Sequence, residues 1–156
     1  MADLTTTISE SVTINGSVRG SSNTLTITGI EHTFERVVTI PADTDGTVLL
    51  TKDTITSSDG AVDIQDTKYI RITNLDSTNS VILSLQIDSG NDDSAADESC
   101  SILLEAGHSF IMGTPHEAIN VSDANATIVT TLKDLESILV DSSDQAVKLE
   151  VFAASV

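Results

Sequence analysis

The sequence predicts an all-β fold, an antiparallel β-sandwich of jelly-roll-like type, and three observations carry that expectation. First, 16 Ile, 13 Val and 21 Thr supply nearly a third of the 156 residues. Such β-branched side chains are stiff at χ1 and pack well on a pleated surface. Second, apolar residues alternate with polar ones over short runs, the period of a strand with one buried face. Third, turn signals separate these runs roughly every 8 to 12 residues, the spacing of sandwiches and jelly rolls.

Taken in order, residues 1–11 are polar and rich in Thr and Ser. They are expected to form an arm that is loose in the free chain or laid against a neighbour. Residues 12–156 are expected to form a single β-sandwich domain. It opens with a hairpin in which Val12, Ile14 and Val18 precede a turn at Gly20-Ser21-Ser22-Asn23, and Leu25 and Ile27 follow it. A strand from Phe34 to Ile40 ends at Pro41, and the turn Asp43-Thr44-Asp45-Gly46 introduces another over Thr47 to Thr51. After Ser57-Ser58-Asp59-Gly60 comes a short strand from Ala61 to Ile64.

Lys68 to Thr73 is the clearest strand, with Ile70 and Ile72 inward and Tyr69, Arg71 and Thr73 outward. Val81, Leu83, Leu85 and Ile87 line one face of the next, and the two are expected to pair as a hairpin across the turn at 74–79. Residues 88–99 contain no large apolar side chain and belong in solvent or around an ion. Short strands are expected at Ile102–Leu104, Phe110–Met112, Ala118–Val121 and Ala126–Leu132. The spacing of Leu135, Ile138 and Leu139 fits either one helical turn or a strand beginning near Ser137. Alternation from Val147 to Ala153 marks the last strand. The expected core is Ile70, Ile72, Val81, Leu83, Leu85, Leu149 and Val151.

Composition narrows the function classes. Twenty-four acidic residues against seven basic ones give a net charge of −17, a field that repels phosphate backbones and argues against direct nucleic-acid binding. Phe34, Tyr69, Phe110 and Phe152 are the whole aromatic set, which leaves little for a carbohydrate platform. Cys100 is the single cysteine, so the chain is not a disulfide-stapled scaffold. Neighbouring Asp97, Glu98 and Glu105 disfavour its thiolate. The first residues lack the basic and apolar regions of a signal peptide, and no apolar run has the length of a membrane span.

No motif points to catalysis, and a non-enzymatic protein is expected. His32, His108 and His116 share no zinc-ligand spacing, although His108 and His116 flank Gly113-Thr114-Pro115 and could approach across a hairpin. Ser109 follows Gly107-His108 without a nucleophile elbow, and no acidic pair is marked for glycoside cleavage. Phosphate-cradling loops are absent. Asp88, Asn91, Asp92, Asp93 and Asp97 are the candidate metal ligands, because clustered loop carboxylates suit calcium. The order lacks an EF-hand pattern, and a solvated loop explains it equally; no other cofactor is expected. Asn15, Asn120 and Asn125 head glycosylation-type sequons of the frequency such a composition yields by chance.

The run Lys68-Tyr69-Ile70-Arg71-Ile72-Thr73-Asn74-Leu75-Asp76, then Val81-Ile82-Leu83-Ser84-Leu85, resembles small β-rich virion structural proteins of tailed bacteriophages. Leu103-Leu104-Glu105-Ala106-Gly107-His108-Ser109-Phe110 and Val147-Lys148-Leu149-Glu150-Val151 continue the likeness over the second half of the chain. The resemblance implies a capsid decoration or cement subunit. Such a subunit is a homo-oligomer, typically a trimer, bound to the major capsid protein or another virion protein on the outer surface of the head. Tail, baseplate and connector subunits look similar, and a receptor- or glycan-binding β-domain is the further alternative.

Overall fold

The computed structural model describes residues 2–53, 60–88, 96, 98–122 and 128–156. Regular structure among them is entirely β: β1 (Ala2–Ser9), β2 (Val12–Ile14), β3 (Ser17–Arg19), β4 (Ser22–Ile30), β5 (His32–Ile40), β6 (Asp45–Lys52) and β7 (Val62–Asp63). There follow β8 (Thr67–Asn74), β9 (Val81–Asp88), β10 (Glu98–Leu104), β11 (Ser109–Met112), β12 (Asp134–Asp141) and β13 (Val147–Ser155).

Two sheets make the body, one ordered β10-β9-β12-β6-β7 and the other β11-β8-β13-β5. Strand pairing is nested: β5 with β13, β6 with β12, β8 with β11 and β9 with β10, all antiparallel. A long hairpin rolled up on itself gives this nesting, and it is the jelly-roll arrangement. The expected antiparallel sandwich is therefore the observed fold. The short β7 is a departure, because it pairs with β6 in parallel.

The facing sides of the two sheets share one aliphatic core. Val48, Val81, Leu83, Leu85, Ile138 and Val140 from one sheet meet Ile70, Ile72, Val147, Leu149 and Val151 from the other. All the residues expected in the core are buried. Asn74 is one of several buried polar residues and sits at one end of the core. Its side chain donates to the carbonyls of Asn79 (2.8 Å) and Leu104 (3.3 Å), and its Oδ1 accepts from the amide of Asp76. One buried amide thus joins the end of β8 to the following turn and to β10.

Several details differ from the sequence expectations. The strands β8 and β9 do not form a hairpin but lie in opposite sheets, since in a jelly roll the chain crosses the core between them. Of the two readings open for Leu135 to Leu139, the strand is the one observed, and it begins earlier than Ser137, spanning Asp134–Asp141. Its register shifts between Leu135 and Ser137 against β9 and between Ile138 and Leu139 against β6. A bulge places successive residues out of simple alternation, so the apolar spacing there imitates a helix. Residues 118–121 form no strand, only an isolated bridge from Ile119 to Lys133. Of the strand expected over 126–132, the positions 126 and 127 lie outside the described residues, and 128–132 are not strand. The last strand is where it was expected, as β13, and lies in the middle of its sheet between β8 and β5.

Residues 1–11, expected as a loose arm, supply β1, which pairs with β4 from Leu4–Ile27 to Ser9–Ser22. Tyr69 does point to the outer face of its sheet but is buried there, because Leu4, Ile27 and Ile30 cover it.

Candidate functional site

The feature that stands apart from the body is a single hairpin built from β1 to β4. Its tip is Asn15-Gly16, with φ of 51° and 77°. Positive φ at both central residues is what a type I′ turn demands, and Asn-Gly is the pair that best tolerates it. The pairing Val12–Arg19, Thr13–Val18 and Ile14–Ser17 follows from that turn. Lower down, the amide of Glu10 donates to the carbonyl of Ser21 at 2.8 Å, which stitches the waist between the two ladders. Gly20 sits at that waist with φ of 133°, and a Cβ there would stand 2.0 Å from the Glu10 carbonyl oxygen. Only glycine fits.

The ribbon has two chemically different faces. Leu4, Ile27, Leu25 and Ile8 occupy one face by the register, and Thr5, Thr26, Thr7, Thr24, Ser9 and Ser22 occupy the other. The hydroxyls of Thr7 and Thr24 lie 3.1 Å apart in this ladder. At the root, Leu4 and Ile27 pack with Ile30, Tyr69, Phe152 and Ala154, and the Tyr69 and Phe152 rings meet edge to face at 6.1 Å. That small cluster ties the hairpin to the outer face of the β11-β8-β13-β5 sheet.

Beyond the root nothing among the described residues covers it. Every residue from Thr7 to Thr26 is exposed, a projection of roughly 25 Å at about 3.3 Å per residue. The exposed residues include Val18 at 70%, Ile14 at 56%, Leu25 at 54% and Val12 at 51%. A lone two-stranded ribbon is marginal in water, so such a hairpin gains when a partner surface meets it. Its charge is also unlike the rest of the chain. From Leu4 to Ile30 the charged residues are Glu10 and Arg19, which cancel, whereas the whole chain carries −17.

The remaining candidates do not assemble into a reactive centre. His32 begins β5 and is exposed. His108 lies in the turn before β11, with Nδ1 3.6 Å from Glu105, and His116 lies beyond the other end of β11, with Nδ1 2.9 Å from Asp134. The two histidines are thus separated by a strand and do not face each other across a hairpin. Ser109 on β11 has its hydroxyl 2.9 Å from that of Thr73. Cys100 is half-buried on β10, packed against the core.

Of the calcium candidates, Asp88 ends β9, opposite Asp134 and buried beside Asp53 and Glu136. Asn91, Asp92, Asp93 and Asp97 lie outside the described residues. Among the described residues no three His, Cys, Asp or Glu side chains are placed to hold a metal ion. A cavity of about 380 Å³ near the hairpin root is lined by His32, Phe34, Asp63, Asp66 and Val156, among others.

The sequence places a hairpin here but sets its turn at Gly20-Ser21-Ser22-Asn23 and treats Asn15 only as a sequon; the observed turn is Asn15-Gly16, with Gly20 at the waist and Ser22 and Asn23 in β4. The dipeptide Asn15-Gly16 was the signal that could have located the hairpin tip.

No family model matches the chain, and no curated protein matches it. Among solved structures, one chain is described under "Bacillus endospore appendages form a novel family of disulfide-linked pili". It aligns at 12% identity over 83% of this chain and 94% of its own length, with a TM-score of 0.35. A superposition that loose carries no functional argument.

Proposed function

We propose that this chain is a structural subunit of a virus particle, a decoration or cement protein on the outer surface of the head that acts through protein–protein contacts. The observation that carries the reading is the projecting hairpin, which leaves half-apolar surface of zero net charge uncovered on an otherwise complete jelly roll. The resemblance of the β8, β9 and β13 sequences to phage virion proteins supports it, and so does the fold, which is common among capsid proteins.

Magnitudes favour several subunits acting together. Covering a side chain that is already half-buried gains about 1 kcal/mol, so Val12, Ile14, Val18 and Leu25 gain only a few kcal/mol for one hairpin. Association costs about 4 to 15 kcal/mol in lost freedom. One hairpin alone is a weak anchor. An oligomer, most simply a trimer joined through its hairpins, presents several acidic bodies to the shell at high effective concentration and holds where a monomer would not. The charge of −17 favours an outer seat over basic shell residues rather than one facing packaged DNA.

Immunogold labelling of intact particles with antibody against this chain tests the reading. Label over the head supports decoration. Label confined to the tail replaces it with a tail or baseplate subunit, and particles without label overturn the virion reading.

A further inference from the structure

We infer that a second copy of this chain is the partner of the hairpin: the tip of one copy seats in the groove beneath β1 of the next. This deepens the reading of the chain as an assembly subunit and rests on it. The groove, about 350 Å³, runs along β1 from Leu4 to Ile8 and is floored by Tyr69, Arg71, Ile111 and Phe152 on the outer face of the sheet. Among the described residues β1 pairs only with β4, so its other edge presents unpaired backbone N–H and C=O groups. An open strand edge is a template for a further strand. The devices that usually protect such an edge are missing, since residues 4–9 contain no charge and no proline.

The chemistry of the groove selects an uncharged occupant. Arg71, its one cation, is already held by Glu150 at 2.6 Å and donates to Thr73 at 2.5 Å. Ile111 is exposed on the floor, ready for an aliphatic neighbour. A segment of matching character exists on the chain itself. Ser11–Ile30 contains no Asp or Glu and offers Val12, Ile14 and Val18 exposed at its end. That tip is solvated throughout in its own subunit, so it is not the occupant of its own groove.

Charge decides between a second copy and a foreign protein. Two copies of a −17 chain repel across most of their surfaces, and the hairpin is the stretch where that repulsion vanishes. A basic partner would be drawn to the acidic body, not to a neutral ribbon. A tip-into-groove contact uses different surfaces on its two sides, so it propagates from copy to copy and closes into a ring where the rotation allows.

The test is sedimentation of the full chain over about 1 to 100 µM. One variant blocks the tip (Val12→Glu, Ile14→Glu, Val18→Glu), and a second blocks the groove (Thr5→Glu, Ile111→Glu). The unmodified chain is expected to self-associate, and each variant alone to weaken association at least about tenfold. An equimolar mixture of the two should restore a heterodimer, because one intact tip then meets one intact groove. A monomeric unmodified chain, or a mixture that stays monomeric, overturns the inference.

All five substituted side chains are exposed, and unchanged thermal melting confirms folding of the variants. Hydrogen exchange on the unmodified chain gives an independent reading. Amides of residues 4–8 and 11–18 should slow together with rising concentration, and no slowing at either contradicts the contact. A chain that associates but is absent from particles defeats only the virion reading. A chain that labels particles yet stays monomeric defeats only this one.

Discussion

The jelly-roll body and the hairpin are written in nearly the same alphabet, alternating Ile, Val and Leu with Thr and Ser, yet they end in opposite environments. In β8, Ile70 and Ile72 are fully buried because a second sheet faces them. In β2, Val12 and Ile14 alternate in the same way and stand half exposed because no layer faces them. Alternation therefore reports that a strand has an apolar side, not that the same chain covers it. The uncovered copy of the pattern leaves its apolar side open to solvent, and the covered copy forms the core.

Substitutions that remove equal side chains from the two regions sharpen the contrast. Leu83→Ala or Leu149→Ala should cost about 2 to 5 kcal/mol in denaturant titration, because both sites are fully buried between sheets. Leu25→Ala, on the hairpin, should fall within about 0.5 kcal/mol in the unassembled chain. Equal losses at Leu25 and Leu83 would break the distinction. Next in size is Asn74→Leu, which leaves the carbonyls of Asn79 and Leu104 without their side-chain donor. The expected cost is about 1 to 3 kcal/mol, measured the same way.

Gly20→Ala separates the regions from the other side. The clash with the Glu10 carbonyl should unpair the hairpin waist while leaving the melting of the body nearly unchanged. Limited proteolysis should then cut within residues 10–21 faster than in the unmodified chain.

The smallest effect concerns pH. The backbone amides of Asn79 and Thr78 donate to the Asp76 carboxylate and hold its pKa below the ordinary value of 3.8. A lowered carboxylate pKa stabilises the fold above the unfolded value, and that contribution disappears as pH falls through the folded one. Asp76→Asn should therefore lower stability slightly at neutral pH, leave it little changed in strong acid, and so flatten the profile below about pH 4. A profile unaltered in that window would show that the turn at 74–79 does not depend on the carboxylate.

Much of the body was legible in the sequence because each sheet has one buried side and the residues say so. Val81, Leu83, Leu85 and Ile87 fall on one face as their alternation requires. Pairing was harder to read. The strands flanking residues 75–80 look like a hairpin, but crossing between sheets depends on partners far along the chain, such as β11 for β8 and β10 for β9. In β12 the bulges left a helical turn and a strand equally open at Leu135 and Ile138. Tyr69 had the right direction, and only its cover, supplied by β1 and β4, was invisible locally. A hairpin was expected over residues 12–27, but its turn was set at 20–23 instead of Asn15-Gly16, and its exposure was missed because exposure is a property of what lies opposite, which no local pattern records.

The account stands or falls on whether the hairpin, and not the body, makes the chain's contacts. Replacing Glu10–Ser21 by Asn-Gly removes the distal hairpin and closes the Ser9–Ser22 pair with a type I′ turn. Both this shortened chain and the full chain would be added back to particles stripped of the protein, with bound protein quantified after washing. The full chain should rebind, and the shortened chain, melting at the same temperature, should be lost in the wash. Equal rebinding of the two would contradict the central claim.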